Sequence, residues 1–189
     1  MTQQLTRAVP NEQSHIVLEF DGPEYRLFDA MILYREKAWR QLAYPQHLKN
    51  FTLTPDAICW HEAGSVDADY LHRRSAPLDQ ARLERQVLRV GYKNQAPTPQ
   101  HQSHHEYGVY LARFSAQPFR IGESIGGGVA DMGYGRDLSL EELLLWPQWK
   151  HFFELAGCAW AIPLLESLSG EPERLLDLLV SEACRRNGA

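Results

Sequence analysis

Three observations predict an α+β protein. Residues 15–29 alternate apolar and polar side chains across an Asp21-Gly22 turn, the pattern of a hairpin. A second strand-forming region follows residue 87, and from Ser139 the chain turns helical, with apolar residues at three- and four-residue spacing. The expected architecture is an N-terminal β-hairpin/helix domain over residues 15–75, then a second α+β region over residues 76–189. That region is expected to hold an antiparallel sheet and a C-terminal helical cap. Residues 1–14, polar and with Pro10, are expected to form a loose leader.

Each element has its own local reason. Ile16, Leu18 and Phe20 share one face of the first strand, with Val17 and Glu19 on the other. Pro23 lacks a backbone donor, so it suits only the start or edge of the next strand. Tyr25, Leu27 and Asp29 form one face of that strand, and Arg26 and Phe28 the other. Asp29 can cap a helix predicted over Ala30 to Leu42, because its carboxylate accepts from the orphan amides that follow. Pro45 is expected to end that helix. A second hairpin is read from Phe51 to Trp60 around Pro55-Asp56, and a short helical turn from Asp67 to Leu71. A further helix is expected from Ser75, its cap, to about Arg85, with a strand over Val87 to Tyr92. Asn94 to His105 holds prolines, glutamines and histidines without apolar period, so it predicts an exposed loop. Strands are expected at Tyr107 to Ser115 and Phe119 to Ile121. Six glycines between Gly122 and Arg136 predict a loop there. Ser139 with Glu142 forms a capping box for a helix carrying Leu140, Leu143, Leu144 and Trp146. Pro147 suits the first turn of another, which Gly157 ends. The apolar run continues to Leu168 with a kink expected at Pro163. The last helix begins near Pro172, presents Leu175, Leu176, Leu179, Val180 and Ala183 on one face, and stops at Arg185, Arg186 and Gly188.

Phe20, Gly22, Arg26, Phe28, Asp29, Leu42, Pro45, Ile58, Trp60, Asp67 and Leu71 occur in an order that resembles a small bacterial domain family of unknown function. In that family a strand, a glycine turn, a second strand ending Arg-x-Phe-Asp, a helix, a hairpin ending in Trp and an Asp-x-x-x-Leu close follow one another. The resemblance covers residues 15–72. It implies an α+β domain, usually free-standing and sometimes fused to a helix-turn-helix, often encoded beside small toxin-like proteins. It implies no catalytic residue. The C-terminal part resembles no family known to us.

The chain's 189 residues, 44% apolar and 23% charged, are enough to bury the core of one domain or two small ones. A net charge of −5 argues against broad binding of nucleic acid or anionic membranes. No apolar run reaches the length of a membrane span, and no signal-peptide core opens the chain. Cys59, Cys158 and Cys184 are widely spaced and odd in number, which predicts reduced thiols in a cytoplasmic protein.

Three stretches bear on chemistry. Gly122-Glu123-Ser124-Ile125-Gly126 satisfies G-x-S-x-G, the turn that exposes a nucleophilic serine in hydrolases. Its partners would be His151, the only later histidine, and Asp131, Asp137 or Asp177 as the acid. The preceding chain holds too few strands for a parallel hydrolase sheet, so a structural glycine loop is preferred. The same glycines could cradle phosphate, but no Gly-Lys-Ser/Thr and no dinucleotide fingerprint accompanies them. His101, His104, His105 and Glu106 have metal-ligand chemistry but sit in the predicted loop, where fixed geometry is lacking. Neither a metal nor a cofactor is expected. Trp146, Trp149, Phe152, Phe153 and Trp160 are dense enough to be either a helical core or a partner surface.

The leading expectation is a non-enzymatic binding or regulatory protein that acts through protein–protein contact, with Tyr134, Arg136, Trp146 and Trp149 as contacts. A homodimer is compatible with this. The alternatives are a serine hydrolase using Ser124, His151 and Asp177, and a DNA-binding regulator acting through the C-terminal helices. The second alternative is disfavoured because only Arg185 and Arg186 cluster basic charge there.

Overall fold

The computed structural model describes residues 3–95, 105–125, 135–167 and 171–186, with Ser124 and Ile125 described by their backbone alone. The fold is α+β, with antiparallel sheets and a long C-terminal helix. It divides into two compact units, Met1–Gln86 with Cys184–Ala189, and Val87–Ala183. The division thus falls after Gln86, later than the boundary expected at residue 75.

The first unit opens with β1 (Leu5–Pro10), β2 (His15–Phe20) and β3 (Glu24–Asp29), an antiparallel meander. The expected loose leader is therefore corrected: Leu5 and Val9 are buried, and Ala8, Val9 and Pro10 pair with Leu18, Val17 and Ile16. Two hydrophobes on one side of a short polar run suffice because the β2 edge offers ready partners. Asn11 fixes the β1–β2 turn by accepting from the amides of Gln13 and His15. Gly22 carries the β2–β3 turn at a φ of 93°, the left-handed backbone expected of the Asp-Gly turn. Ile16, Leu18 and Phe20 are buried as expected, and so is Val17 on the opposite face.

Asp29 caps the next segment, accepting from the amide of Met31 at 2.9 Å. That segment is not the single α-helix predicted. It is two 3₁₀ stretches, Ala30–Arg35 and Lys37–Ala43, parted by extended Glu36. The reason lies in the spacing. Ala30, Leu33, Trp39 and Leu42 recur at multiples of three residues, the period of a 3₁₀ helix, and face the core. Pro45 does not end a helix but begins one, α1 (Pro45–Leu48), where its missing N–H costs nothing.

A three-stranded meander follows: β4 (Thr52–Thr54), β5 (Ala57–Trp60) and β6 (Gly64–Asp67). Asp67 caps α2 (Ala68–Arg74) by accepting from the Tyr70 amide at 2.7 Å. The helix predicted from Ser75 is also corrected. Ser75 closes α2, β7 (Ala76–Pro77) joins the first sheet beside β3, and Asp79 caps only the short α3 (Gln80–Leu83). Arg26 enforces this route, donating to both the Ser75 hydroxyl and its carbonyl. The core of this unit joins Ile16, Leu18, Phe20, Phe28, Ile58 and Trp60.

The second unit is built on a four-stranded antiparallel meander: β8 (Leu88–Gln95), β9 (His105–Leu111), β10 (Phe119–Ile125) and β11 (Gly135–Leu138). The glycine loop predicted from Gly122 thus starts later. Residues 122–125 extend β10, and 135–138 form a strand against it. Three glycines line up across the sheet, Gly108 beside Gly122 and Gly122 beside Gly135, with Tyr92 completing the row. Asn94, Gln95 and His105, expected in a loop over 94–105, are instead strand residues, with Asn94 paired to Glu106 and Gln95 to His105; residues 96–104 and 126–134 lie outside the described residues.

The helices are α4 (Leu140–Leu145), α5 (Trp149–Leu155), α6 (Ala161–Glu166) and α7 (Pro172–Arg186). The capping box at Ser139 and Glu142 is present, with both reciprocal bonds formed. Gly157 ends α5 at a φ of 72°. Leu175, Leu176, Leu179, Val180 and Ala183 of α7 are all buried, as their spacing predicts. Arg113, just after β9, ties the first turns of α7 to the sheet region. It donates to Asp177 at 2.8 Å and Glu173 at 2.7 Å while its own side chain is 3% exposed. Burial alone would favour a neutral guanidinium, but these two carboxylates outweigh it and hold the cation.

Candidate functional site

Within the second unit, one face of the sheet and the α4–α5 region border an open hollow of about 430 Å³. Pairing decides which side chains reach it. Tyr107 pairs with Glu123, and Ile121 pairs with Val109 and Arg136. Residues two apart on a strand share a face, so Tyr107, Ile121, Glu123 and Arg136 project to the same side. Phe152 from α5 meets Tyr107 edge-on, with centroids 5.7 Å apart. Trp146, at the end of α4, packs against Phe152 at 5.5 Å. The Arg136 guanidinium lies over the Trp146 ring, 5.1 Å from its centroid. Gly122 and Gly135 border the hollow with their backbone; they belong to the alternate row of the sheet, where a methyl group at Gly135 would stand 2.5 Å from the Ile121 carbonyl oxygen.

The two ends of the hollow differ in charge. At one end Glu123, half exposed, sits 3.5 Å from His105 Nδ1. At the other stands Arg136, on the outer strand. Burial, then the nearby Glu123 carboxylate, pushes the Tyr107 phenol above its ordinary pKa, so Tyr107 stays neutral. Leu145, immediately before Trp146, is 75% exposed, an unusual placement for a large aliphatic side chain.

Of the four expected contacts, Arg136 and Trp146 meet at this site. Trp149 does not. It is buried, edge-on to Phe153 at 5.4 Å, and belongs to the core; helical spacing turns it inward while Trp146 ends α4. Tyr134 lies outside the described residues. The hollow also contains Phe152, one of the aromatic residues expected in either a helical core or a partner surface, and Glu123, expected in a loop. The signal for Glu123 was the strand alternation Phe119, Ile121, Glu123, masked by the glycines that follow.

No family model matches the chain, and neither a curated protein nor a solved structure does. Residues 15–72 form a strand–turn–strand, two 3₁₀ stretches and a short helix, a three-stranded meander and an Asp-capped helix.

The expected hydrolase residues are placed differently. Ser124 lies within the β9–β10 ladder, paired with Glu106. The G-x-S-x-G stretch therefore begins as extended strand rather than as the sharp strand-to-helix turn a nucleophile requires. Asp177 accepts from Arg113, whereas His151 is exposed and closest to Glu154 at 3.7 Å. Asp137 lies 3.5 Å from Arg120, and Asp131 is outside the described residues. Of the metal-ligand candidates, His101 and His104 also fall outside them. Glu106 accepts from the Tyr92 hydroxyl at 2.7 Å, which pushes the Tyr92 pKa up to about 12. Among the described residues no group of three or more His, Cys, Asp and Glu side chains is placed to hold a metal ion. Among the described residues no helix is long and apolar enough to cross a membrane.

Proposed function

We propose that this is a non-enzymatic binding protein that acts through contact with another protein, and that the hollow beside Trp146 is its contact surface. The observation that carries this is the Arg136 guanidinium over half-buried Trp146 at the edge of the hollow, with exposed Leu145 next to Trp146 in the chain. Aromatic and arginine side chains are the usual anchors of interfaces, because each buries a large area with few rotatable bonds or many donors. The apolar floor of Ile121 and Phe152 supplies the dry centre such anchors need.

The test is site-specific photocrosslinking in the native host. A photoreactive amino acid at Leu145 should trap a discrete protein adduct, and Trp146→Ala in the same chain should abolish it. The same amino acid at Thr52, exposed in the first unit, should trap nothing. Adducts at Thr52 with none at Leu145 would refute the placement of the surface.

A further inference from the structure

The rim carries a cation with a specific deficiency. Arg136 is exposed, and its described contact is the face of Trp146. No described carboxylate is paired with it, whereas Arg7, Arg26, Arg113 and Arg120 each have one within 4 Å. Stacking on indole fixes the guanidinium plane yet leaves its N–H edge available. A guanidinium held in this way is pre-organised to accept a carboxylate through two parallel hydrogen bonds. Directly beside it, Ile121, Trp146 and Phe152 offer an apolar recess.

Resting on the binding function proposed above, we infer that the occupant is a polypeptide segment of a partner protein that presents an acidic side chain next to a large apolar one. The carboxylate docks on Arg136 and the apolar group enters the recess against Phe152 and Trp146. Charge complementarity selects this occupant over a basic one, because Glu123 at the far end is already neighboured by His105.

The experiment is selection of displayed linear peptides on the full-length protein, followed by titration of synthetic winners. Winners should carry Asp or Glu beside Phe, Leu, Ile or Trp. Their affinity should fall about tenfold or more in Arg136→Ala, the amount expected for a lost charge-assisted pair. Arg136→Glu should bind the same peptides more weakly still, and should recover affinity when their acidic residue is changed to Lys. Circular dichroism of each variant must match the parent, and Arg136→Lys, which keeps charge but not the planar fork, should lose part of the affinity. Winners that need Trp146 but are indifferent to Arg136 would overturn the acidic specificity and leave the contact surface standing. Winners indifferent to both residues, or no enriched sequence, would overturn both. Concentration-dependent dimers abolished by Trp146→Ala would give the surface to a second copy and overturn the inference.

Discussion

Replacing Trp60 with alanine should remove most of the stability of the first unit. Trp60 is 3% exposed at the end of β5. Trp39 and Phe51 meet it edge-on at 6.1 and 5.9 Å, and its indole N–H donates to the Leu48 carbonyl at 2.9 Å. It therefore joins the small meander, the 3₁₀ segment and α1 at one point. Truncating a buried aromatic of this size costs about 3–5 kcal/mol through lost transfer energy and the cavity left behind. The Leu48 carbonyl would also lose its buried donor, which adds about 1–3 kcal/mol. Against a total of about 5–15 kcal/mol for an ordinary domain, the sum approaches the whole. Trp60→Phe separates the two contributions, since it keeps most of the ring area and loses the donor. It should cost less than Trp60→Ala but more than Lys37→Ala, an exposed control expected within about ±0.5 kcal/mol. Urea unfolding followed by far-ultraviolet circular dichroism gives all three values without relying on tryptophan emission. If Trp60→Ala unfolds within about 1 kcal/mol of the parent, the core is not organised around this residue and the assignment fails.

Other expectations are more local. Gly91→Ala places a methyl group 2.6 Å from the Cys158 side chain and 2.7 Å from the Ala156 carbonyl, so it should destabilise the second unit by about 1–3 kcal/mol in the same unfolding assay. Burial raises the Cys158 and Cys184 thiols to about 12, so iodoacetamide at about pH 8 should label the folded chain at half-buried Cys59 and reach all three only after denaturation. Glu24 is held below its usual pKa of 4.5, first by its hydrogen bond from Arg26 and then by His72. Its folded pKa is the lower one, so its stabilisation is fully present above the ordinary value of 4.5 and is lost as pH falls from there through the folded value; Glu24→Gln should flatten that acid limb of a Tm–pH curve. Fluorophosphonate should leave the protein unlabelled; stoichiometric labelling lost in Ser124→Ala would restore the hydrolase reading.

Local chemistry was legible wherever one residue type has one structural use. Asp21-Gly22 gave the turn, Asp29 and Asp67 gave caps, and Ser139 with Glu142 gave the capping box. What escaped reading depended on partners distant in sequence. β1 carries only Leu5 and Val9 as strand signals and exists because β2 pairs with it. β7 is two residues long and is set by Arg26 reaching Ser75. The 3₁₀ segment was misread because residues at i, i+3 and i+4 fit a 3.6-residue period almost as well as a period of three. The site was half visible: Trp146 and Arg136 stood out by type. Which tryptophan faces outward, and that Glu123 and Phe152 join them, required the register of β10 and the place where α4 ends.

The row formed by Gly108, Gly122 and Gly135 bears on how the second sheet finds its alignment. Cross-strand side-chain pairs are what normally penalise a slipped pairing, and this row has none across three strands. Correct alignment of β9, β10 and β11 must therefore be enforced by the rows on either side, Val109 with Ile121 and Arg136 above all. Arg136 then has a second duty on the outermost strand, where charge also discourages pairing with another chain. Substitutions there should slow refolding and promote aggregation of the unfolded chain even when the native state keeps its stability.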